Sequence, residues 1–98
     1  MAREIVWNKR PSKNFATELK RISEESFHDA EKVENAVLSA IDNTKKHPER
    51  YPADKFKSNN KGNYRAFETH SYRVAYRFSE TEIRILRVRH VKQEPKKY

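Results

Sequence analysis

The chain has 98 residues, which is enough for one sheet and one layer of helices in a single domain over residues 1–98. With 37% charged and 35% hydrophobic residues its core must be thin, and without cysteine it can form neither a disulfide nor a thiolate metal site. Its net charge of +8 lies wholly in residues 55–98, because residues 1–54 carry ten basic and ten acidic side chains, an asymmetry typical of proteins that bind polyanions.

The same composition indicates where in the cell the protein acts and which ligands it can bind. No apolar run approaches the length of a membrane span and the first residues do not form a signal-like segment, so we expect a cytoplasmic protein without membrane contacts. A single glycine rules out a glycine-rich phosphate loop. Three of the four histidines (His28, His47 and His70) resemble helix-cap or turn residues. We therefore expect neither a metal nor a cofactor.

The first elements in the chain are a strand and an amphipathic helix. Residues 3–8 are rich in β-branched and aromatic side chains and predict a strand, which we expect Pro11 to end. Ser12 is predicted to cap an amphipathic helix, because apolar residues recur at helical spacing after it: Phe15, Leu19 and Ile22.

A second helix is predicted from its capping signals. Ser26 and Asp29 have the spacing of a capping box, so the helix should begin near Asp29. Its apolar side chains recur on one face, and Pro48 should end it. Three cations are expected in its last turn, where they complement the helix dipole: Lys45, Lys46 and His47.

The second half predicts a loop and three strands. Residues 49–63 form a polar connector, which we expect to be a mobile surface loop. Three strand-like runs follow, and the turns between them are short enough for antiparallel hairpins: Tyr64–Thr69, Tyr72–Phe78 and Ile83–His90. The predicted fold is therefore α+β, in the order β-α-α-β-β-β, with a two-helix hairpin packed on one face of a mainly antiparallel sheet.

Strand alternation predicts which face of the sheet carries the arginines. The residues expected to meet the helices are Tyr72, Val74, Tyr76, Phe78, Leu86 and Val88. Those expected on the uncovered face are Arg73, Arg77, Arg87 and Arg89. The same parity puts Ile83 and Ile85 on the uncovered face, as an apolar patch at one end. Such a face can bind phosphates, be covered by acidic residues of a partner protein, or remain solvated.

The element order, the run from Tyr72 to Arg77 and the closing run from Ile83 to His90 resemble the RelE/ParE superfamily of bacterial toxins from type II toxin–antitoxin modules. This resemblance covers nearly the whole chain and implies a small, curved sheet with two helices on one side. It also implies a cognate antitoxin as partner. Two activities are known in the superfamily: RelE-like cleavage of mRNA on the ribosome, which we expect here, and ParE-like inhibition of DNA gyrase without hydrolysis. A degenerate module that only binds antitoxin or RNA is the remaining alternative.

The resemblance implies roles for individual residues in mRNA cleavage, which would need no metal. Arg73 matches the arginine that contacts the scissile phosphate, Tyr98 a tyrosine that stacks on or activates the nucleotide, and Lys92 a cation that assists the leaving group. His90 is expected as an acid or base, since its residue type suits proton transfer, although a structural histidine at the sheet edge is the alternative. Nucleic-acid contacts are expected from Lys61, Arg65, Arg77, Arg87 and Arg89.

Overall fold

A computed structural model describes residues 3–93 and 96–98 and shows an α+β fold. In chain order its elements are β1 (Glu4–Trp7), α1 (Lys9–Glu25), α2 (Phe27–Asn43), β2 (Tyr64–Thr69), β3 (Tyr72–Phe78) and β4 (Glu82–His90). The strands form a sheet in the order β1-β4-β3-β2, in which β1 runs parallel to β4 and the other neighbours are antiparallel. The predicted fold class, element order and mainly antiparallel sheet are confirmed.

The first helix begins earlier than the sequence predicted. It starts at Lys9 and carries Pro11 buried in its first turn, where the missing N–H would have no helical partner in any case. The predictions that Pro11 ends the first strand and that Ser12 caps the helix are therefore wrong, because both residues lie within α1. Asn8 precedes the helix without capping it, because its side-chain oxygen accepts a hydrogen bond from Arg84 of β4 at 2.9 Å.

One residue joins the two helices. The backbone N–H of Ser26 donates to the carbonyl of Ile22 in the last turn of α1, and its hydroxyl accepts from the N–H of Asp29 at 3.1 Å. Ser26 therefore closes α1 and caps α2 at once. The capping residue was predicted correctly, although α2 begins at Phe27, two residues before the predicted start.

The end of α2 differs from the prediction. The helix stops at Asn43, and the buried Thr44 follows, with its hydroxyl donating to the Ile41 carbonyl at 2.6 Å. The cations that we predicted for the last turn lie beyond it in the following turn: Lys45, Lys46 and His47. Lys45 instead forms an ion pair with Asp42 at 3.1 Å.

The helices pack on one face of the sheet and form the core there. Phe15 of α1 stacks on Trp7 of β1, with ring centroids 5.7 Å apart. Tyr76 of β3 is fully buried, and its hydroxyl donates to the Pro48 carbonyl at 2.6 Å, which ties the sheet to the segment after α2. The other buried apolar residues of this core are Val33, Val37, Ile41, Phe67, Tyr72, Val74, Ile83, Ile85 and Val88.

A β-bulge in β4 changes which side chains meet the helices. Ala75 of β3 pairs with Arg87, whereas the next residue, Tyr76, pairs with Ile85. Leu86 is therefore an extra residue on β4, and the alternation of side chains restarts there.

The bulge corrects two predictions about β4. Ile83 and Ile85 point into the core with 0% exposure, so the predicted apolar patch on the uncovered face is wrong. Leu86, which we predicted in the core, is only half-buried. Both errors have one cause, because uninterrupted alternation was assumed along a strand that contains an inserted residue.

The connector between α2 and β2 is held against the sheet by hydrogen bonds, in place of the mobile loop that we predicted. Ala53 forms an antiparallel bridge with Arg65, and the N–H of Asp54 donates to the Tyr64 carbonyl at 2.9 Å. The turn near its end needs a left-handed backbone at Gly62, with φ of 105°, which glycine adopts without strain. The bridge and the hydrogen bond together hold the side chain of Asp54 against the sheet.

Candidate functional site

The uncovered face of the sheet, which we call the open face, carries a double row of arginines. From one end to the other, the pairs across β3 and β4 are Arg73–Arg89, Ala75–Arg87 and Arg77–Arg84. These side chains point away from the helices, because the residues next to them along β3 are buried in the core. Arginines therefore lie on the face where alternation predicted them, with Arg84 added because the bulge reverses the parity of the first half of β4.

A buried carboxylate occupies one end of the open face. Asp54 is 3% exposed, and its Oδ1 accepts from Nη2 of Arg73 at 2.9 Å and from the N–H of Phe56 at 3.0 Å. Its Oδ2 accepts from the hydroxyl of Tyr98 at 2.7 Å. Nη1 of Arg73 bonds to Glu68 at 3.0 Å. Both terminal nitrogens of Arg73 are therefore paired with carboxylates.

Hydrogen bonds decide the charge state of this cluster. Burial alone would raise the pKa of Asp54, but the bonds from Tyr98, from the Phe56 backbone and from Arg73 outweigh it and hold the pKa below the ordinary 3.8. Asp54 is thus a carboxylate at neutral pH. Tyr98 responds in the opposite direction, since burial and its bond to Asp54 raise the pKa of its phenol above the ordinary 10.0.

Residues 96–98, which we call the strap, run across the open face. The N–H of Tyr98 donates to the Phe56 carbonyl at 2.9 Å, and its carbonyl accepts from the N–H of Ser58 at 2.6 Å, so the strap pairs with the connector as a short strand would. The Tyr98 ring meets Tyr64 edge-on, with centroids 6.2 Å apart, and the Lys57 ammonium lies 5.4 Å from its centroid. Both the backbone and the ring of Tyr98 are therefore anchored.

Arg87 is the arginine that the strap covers. Its Nη1 donates to the Lys96 carbonyl at 2.6 Å, and its guanidinium lies 4.6 Å from the centroid of the Tyr98 ring. Burial lowers the pKa of Arg87, and the neighbouring Arg89 lowers it further. A cavity of about 20 Å³, enough for one water molecule, lies beside it, between Asp54, Phe56, Arg73, Ala75 and Arg89. Arg87 is thus a partly desolvated cation that meets a carbonyl and a ring.

Only part of the predicted site is assembled on this face. The predicted site residues that the structure brings together are Arg73, Arg87, Arg89 and Tyr98. Arg77 lies at the far end of the same face, opposite Tyr64 of β2. Arg65 points to the other face, where it donates to the carbonyls of Gly62 and Tyr51 at 2.7 and 3.0 Å and so stabilises the connector. Lys61 is exposed in the connector. The nucleic-acid contacts expected of these residues stay predictions.

The predicted acid or base, His90, lies at the end of β4. Its ring packs edge-on against the buried Tyr72, with centroids 5.3 Å apart, and its Nδ1 accepts from the N–H of Lys92 at 3.1 Å. Lys92 is exposed in the turn that follows. A groove of about 230 Å³ at the ends of β3 and β4 reaches both His90 and Arg73. The catalytic roles assigned to these residues stay predictions.

Sequence reasoning missed Asp54, the carboxylate that holds the cluster together. It lies in a connector full of charged residues, so neither its type nor its spacing distinguishes it from solvated neighbours. One signal was present two residues later. Phe56 is an aromatic residue in the largely polar run from residue 54 to residue 63, and large aromatic side chains usually bury much of their surface.

The described parts of the chain hold no cluster of metal-binding side chains and no helix that could span a membrane. Within residues 3–93 and 96–98, no three His, Asp or Glu side chains lie close enough together to hold a metal ion. Neither of the helices in these ranges is both long and apolar enough to cross a membrane.

The chain is similar to a known protein family. Residues 9–95 match the sequence model of a family described as "ParE toxin of type II toxin-antitoxin system, parDE". The matched range includes the connector, β2, β3 and β4, and hence Asp54 and the arginines of the open face, but it ends before the strap. No curated protein sequence matches this chain.

Proposed function

The chain belongs to the ParE toxin family of type II toxin–antitoxin systems, and we propose that it arrests growth by inhibiting DNA gyrase without hydrolysing a bond. A toxin of such a system has a cognate antitoxin as its partner. We further propose that the chain is a single domain that acts in the cytoplasm. The sequence alone favoured mRNA cleavage, which is now the second candidate function.

The single observation that carries this proposal is the closed cluster of Arg73, Asp54 and Tyr98. Cleavage of RNA through its own 2′-hydroxyl requires a base, an acid, and cations free to meet the charge that develops on the phosphate. Arg73 would be the first such cation, but its terminal nitrogens are bound to Asp54 at 2.9 Å and to Glu68 at 3.0 Å. The hydroxyl of Tyr98 donates a hydrogen bond to the Asp54 carboxylate and has a raised pKa, so it is poorly suited to proton transfer at neutral pH.

A protein that inhibits without hydrolysis needs only a surface that its target recognises. The open face supplies one, since its arginines stand in rows on a rigid sheet. A positive surface of this kind also speeds encounter with an enzyme that carries DNA. These features support binding, and none of them requires a group that exchanges protons.

One observation favours the second candidate, RelE-like cleavage of mRNA. The groove at the ends of β3 and β4 reaches Arg73, Arg89 and His90, so a cation and an imidazole border the same space. On this alternative His90 supplies the acid or base.

The two candidates are separated by assaying the purified chain on both targets. Under our proposal it blocks the supercoiling of plasmid DNA by gyrase and leaves messages intact in a translating extract. His90→Ala should then keep full toxicity, whereas loss of an acid or base catalyst would lower cleavage by about 100-fold or more. His28→Ala, which alters an exposed histidine of α2, is the matched control. Messages cut within codons while supercoiling proceeds normally would refute the proposal.

A further inference from the structure

We propose that the turn after α2 carries a second binding surface, which holds the phosphate backbone of duplex DNA through Arg3, Lys46 and Arg50. We call these three cations the turn patch. Arg3 lies over the ring of Phe78, which packs against the core, so the patch is on the helix side of the sheet rather than on the open face. The choice of DNA rests on the proposed inhibition of gyrase, an enzyme that acts on DNA, whereas the geometry of the patch does not.

The turn that carries the patch is fixed by hydrogen bonds to the rest of the fold. Pro48 is buried, and its carbonyl accepts from the hydroxyl of Tyr76 at 2.6 Å. The Lys45 carbonyl accepts from Nη1 of Arg3 at 3.2 Å, which ties the turn to the residue before β1. Because the backbone is held on both sides of Lys46, binding an anion there needs little further ordering of the turn.

In the described part of the chain, no carboxylate neutralises the three cations of the turn patch. The side chains of Lys46 and Arg50 are exposed, and within residues 3–93 and 96–98 neither forms an ion pair. Arg3 donates to two neutral groups, the carbonyls of Lys45 and Ser79, which leave its charge uncompensated.

The carboxylates that line the neighbouring surface do not remove this surplus of positive charge. Asp42 is already engaged in an ion pair with Lys45 at 3.1 Å, while Glu49 is exposed in the turn. The patch cations are not needed to end α2 either, because the backbone N–H groups of Thr44 and Lys45 donate to carbonyls of its last turn. An external anion can therefore bind the patch without displacing a contact within the chain.

Two open grooves flank a ridge formed by Lys46, His47 and Arg50. One, of about 470 Å³, extends to Arg3, and the other, of about 420 Å³, extends back to Asn43 at the end of α2. Because each groove is many times the volume of a water molecule, the ridge suits a chain of linked phosphates better than a single small anion.

The residue types at the patch are those of a nucleic-acid interface. Protein interfaces are enriched in aromatic residues and depleted of lysine, whereas interfaces with DNA are strongly positive. Of the described residues that line the two grooves, Phe78 is the one large apolar side chain, and the guanidinium of Arg3 lies 6.0 Å from its ring centroid. Duplex DNA carries more negative charge per unit length than a single strand, so it should bind most tightly.

The test compares two double variants that remove the same residue types. Lys46→Ala with Arg50→Ala removes exposed cations of the patch, and Arg10→Ala with Lys20→Ala, at exposed positions of α1, is the matched control. Fluorescence anisotropy of a short labelled duplex measures binding without gyrase present. Losing two phosphate contacts lowers the slope of log affinity against log salt by about 1.8, so the patch variant should bind about tenfold more weakly at about 50 mM salt and nearly equally at about 200 mM. The control should stay within about twofold of the unaltered chain.

Two results at low salt would overturn the proposal. An equal loss in both double variants would show that net charge alone attracts DNA. Binding of a polyglutamate peptide or a single-stranded RNA as tightly as the duplex would assign the patch to another partner. Should the patch variant not fold, the amide resonances of Lys46 and Arg50 in the unaltered chain are followed instead; the duplex should shift them, and unchanged resonances would refute the inference.

A supercoiling assay on the same proteins keeps this inference apart from the proposed function. A chain that binds the duplex through the patch but leaves gyrase active refutes the proposed inhibition alone. A chain that inhibits gyrase while its patch variant binds the duplex as well as the control does refutes the turn patch alone.

Discussion

Replacing Asp54 by asparagine tests whether a buried charge, rather than the shape of the connector, holds the open face together. The substitution keeps the size of the side chain but removes the charge opposite Arg73 and turns one acceptor oxygen into an amino group. Two of its three donors are side chains, the guanidinium of Arg73 at 2.9 Å and the hydroxyl of Tyr98 at 2.7 Å. Both bonds weaken or break when the carboxylate becomes an amide.

The expected loss follows from the exposure of the two partners. Breaking a fully buried ion pair costs about 3–5 kcal/mol. Asp54 is buried, but the side chain of Arg73 is 19% exposed and keeps Glu68 as a second partner. We therefore expect Asp54→Asn to lower the free energy of unfolding by about 2 kcal/mol at pH 7, below the range for a fully buried pair. For a domain of this size, that corresponds to a fall in Tm of about 8–16 °C.

The difference between the two proteins should depend on pH with a definite sign. The pKa of Asp54 is lower in the folded chain than the ordinary 3.8, so its contribution to stability is fully present above that pH. It is lost as the pH falls through the folded pKa, because the protonated carboxyl no longer neutralises Arg73. The gap between the unaltered chain and Asp54→Asn should accordingly narrow below pH 3.8.

Urea unfolding followed by the fluorescence of Trp7, the only tryptophan, measures both effects. Glu68→Gln is the control, since this carboxylate also binds Arg73 but is 53% exposed, and its loss should change stability by less than about 1 kcal/mol. A loss for Asp54→Asn no larger than the control at pH 7 would refute the reasoning. So would a gap of constant size down to the lowest pH at which the chain stays folded.

Three other predictions concern single hydrogen bonds. Tyr98 should titrate above pH 10.0, as Tyr72 and Tyr76 should, so Tyr98→Phe should remove one of three such tyrosines from the absorbance change at 295 nm. The stability that the Tyr98 hydroxyl contributes below pH 10.0 should be lost as the pH rises through its folded pKa. Tyr76→Phe should lower the free energy of unfolding by about 1–3 kcal/mol, because the buried Pro48 carbonyl loses its donor at 2.6 Å, and thermal denaturation will show whether it does. Ser26→Ala should lower it by about 1 kcal/mol, since α2 loses its cap, with an unchanged urea midpoint as the contrary result.

The parts of the fold that the sequence predicted correctly are those that depend on local periodicity. The ranges of β2 and β3 agree with the prediction, and Ser26 caps α2, because short-range spacing and residue type determine both. The predicted boundaries of α1 and α2 were wrong, because the residues used to place them can lie either inside a helix or outside it. Pro11 is tolerated in a first turn as well as between elements, and a run of cations occurs beyond the end of a helix as well as within its last turn.

The candidate site was harder to predict because it depends on contacts between distant parts of the chain. Arg73 could be placed on the open face from alternation, but its partner Asp54 lies 19 residues earlier, in a segment without periodicity. Tyr98 approaches Asp54 across 44 residues. The bulge at Leu86 was also hidden, since no residue type marks the position at which a strand gains one residue.

That single inserted residue makes β4 a strand whose two halves are in opposite phase. Ile85 faces the helices before the bulge, and Val88 faces them after it, although their numbers differ in parity. Removing Leu86 would therefore do more than shorten the strand. It would make Ile85 and Arg87 neighbours in regular alternation, with the isoleucines still facing the helices and the arginines still on the open face, and so abolish the bulge. Loss of a single residue far from the bulge would instead turn over the residues between the two positions. Deletion of Leu86 should consequently be tolerated better than deletion of one residue elsewhere in the strand.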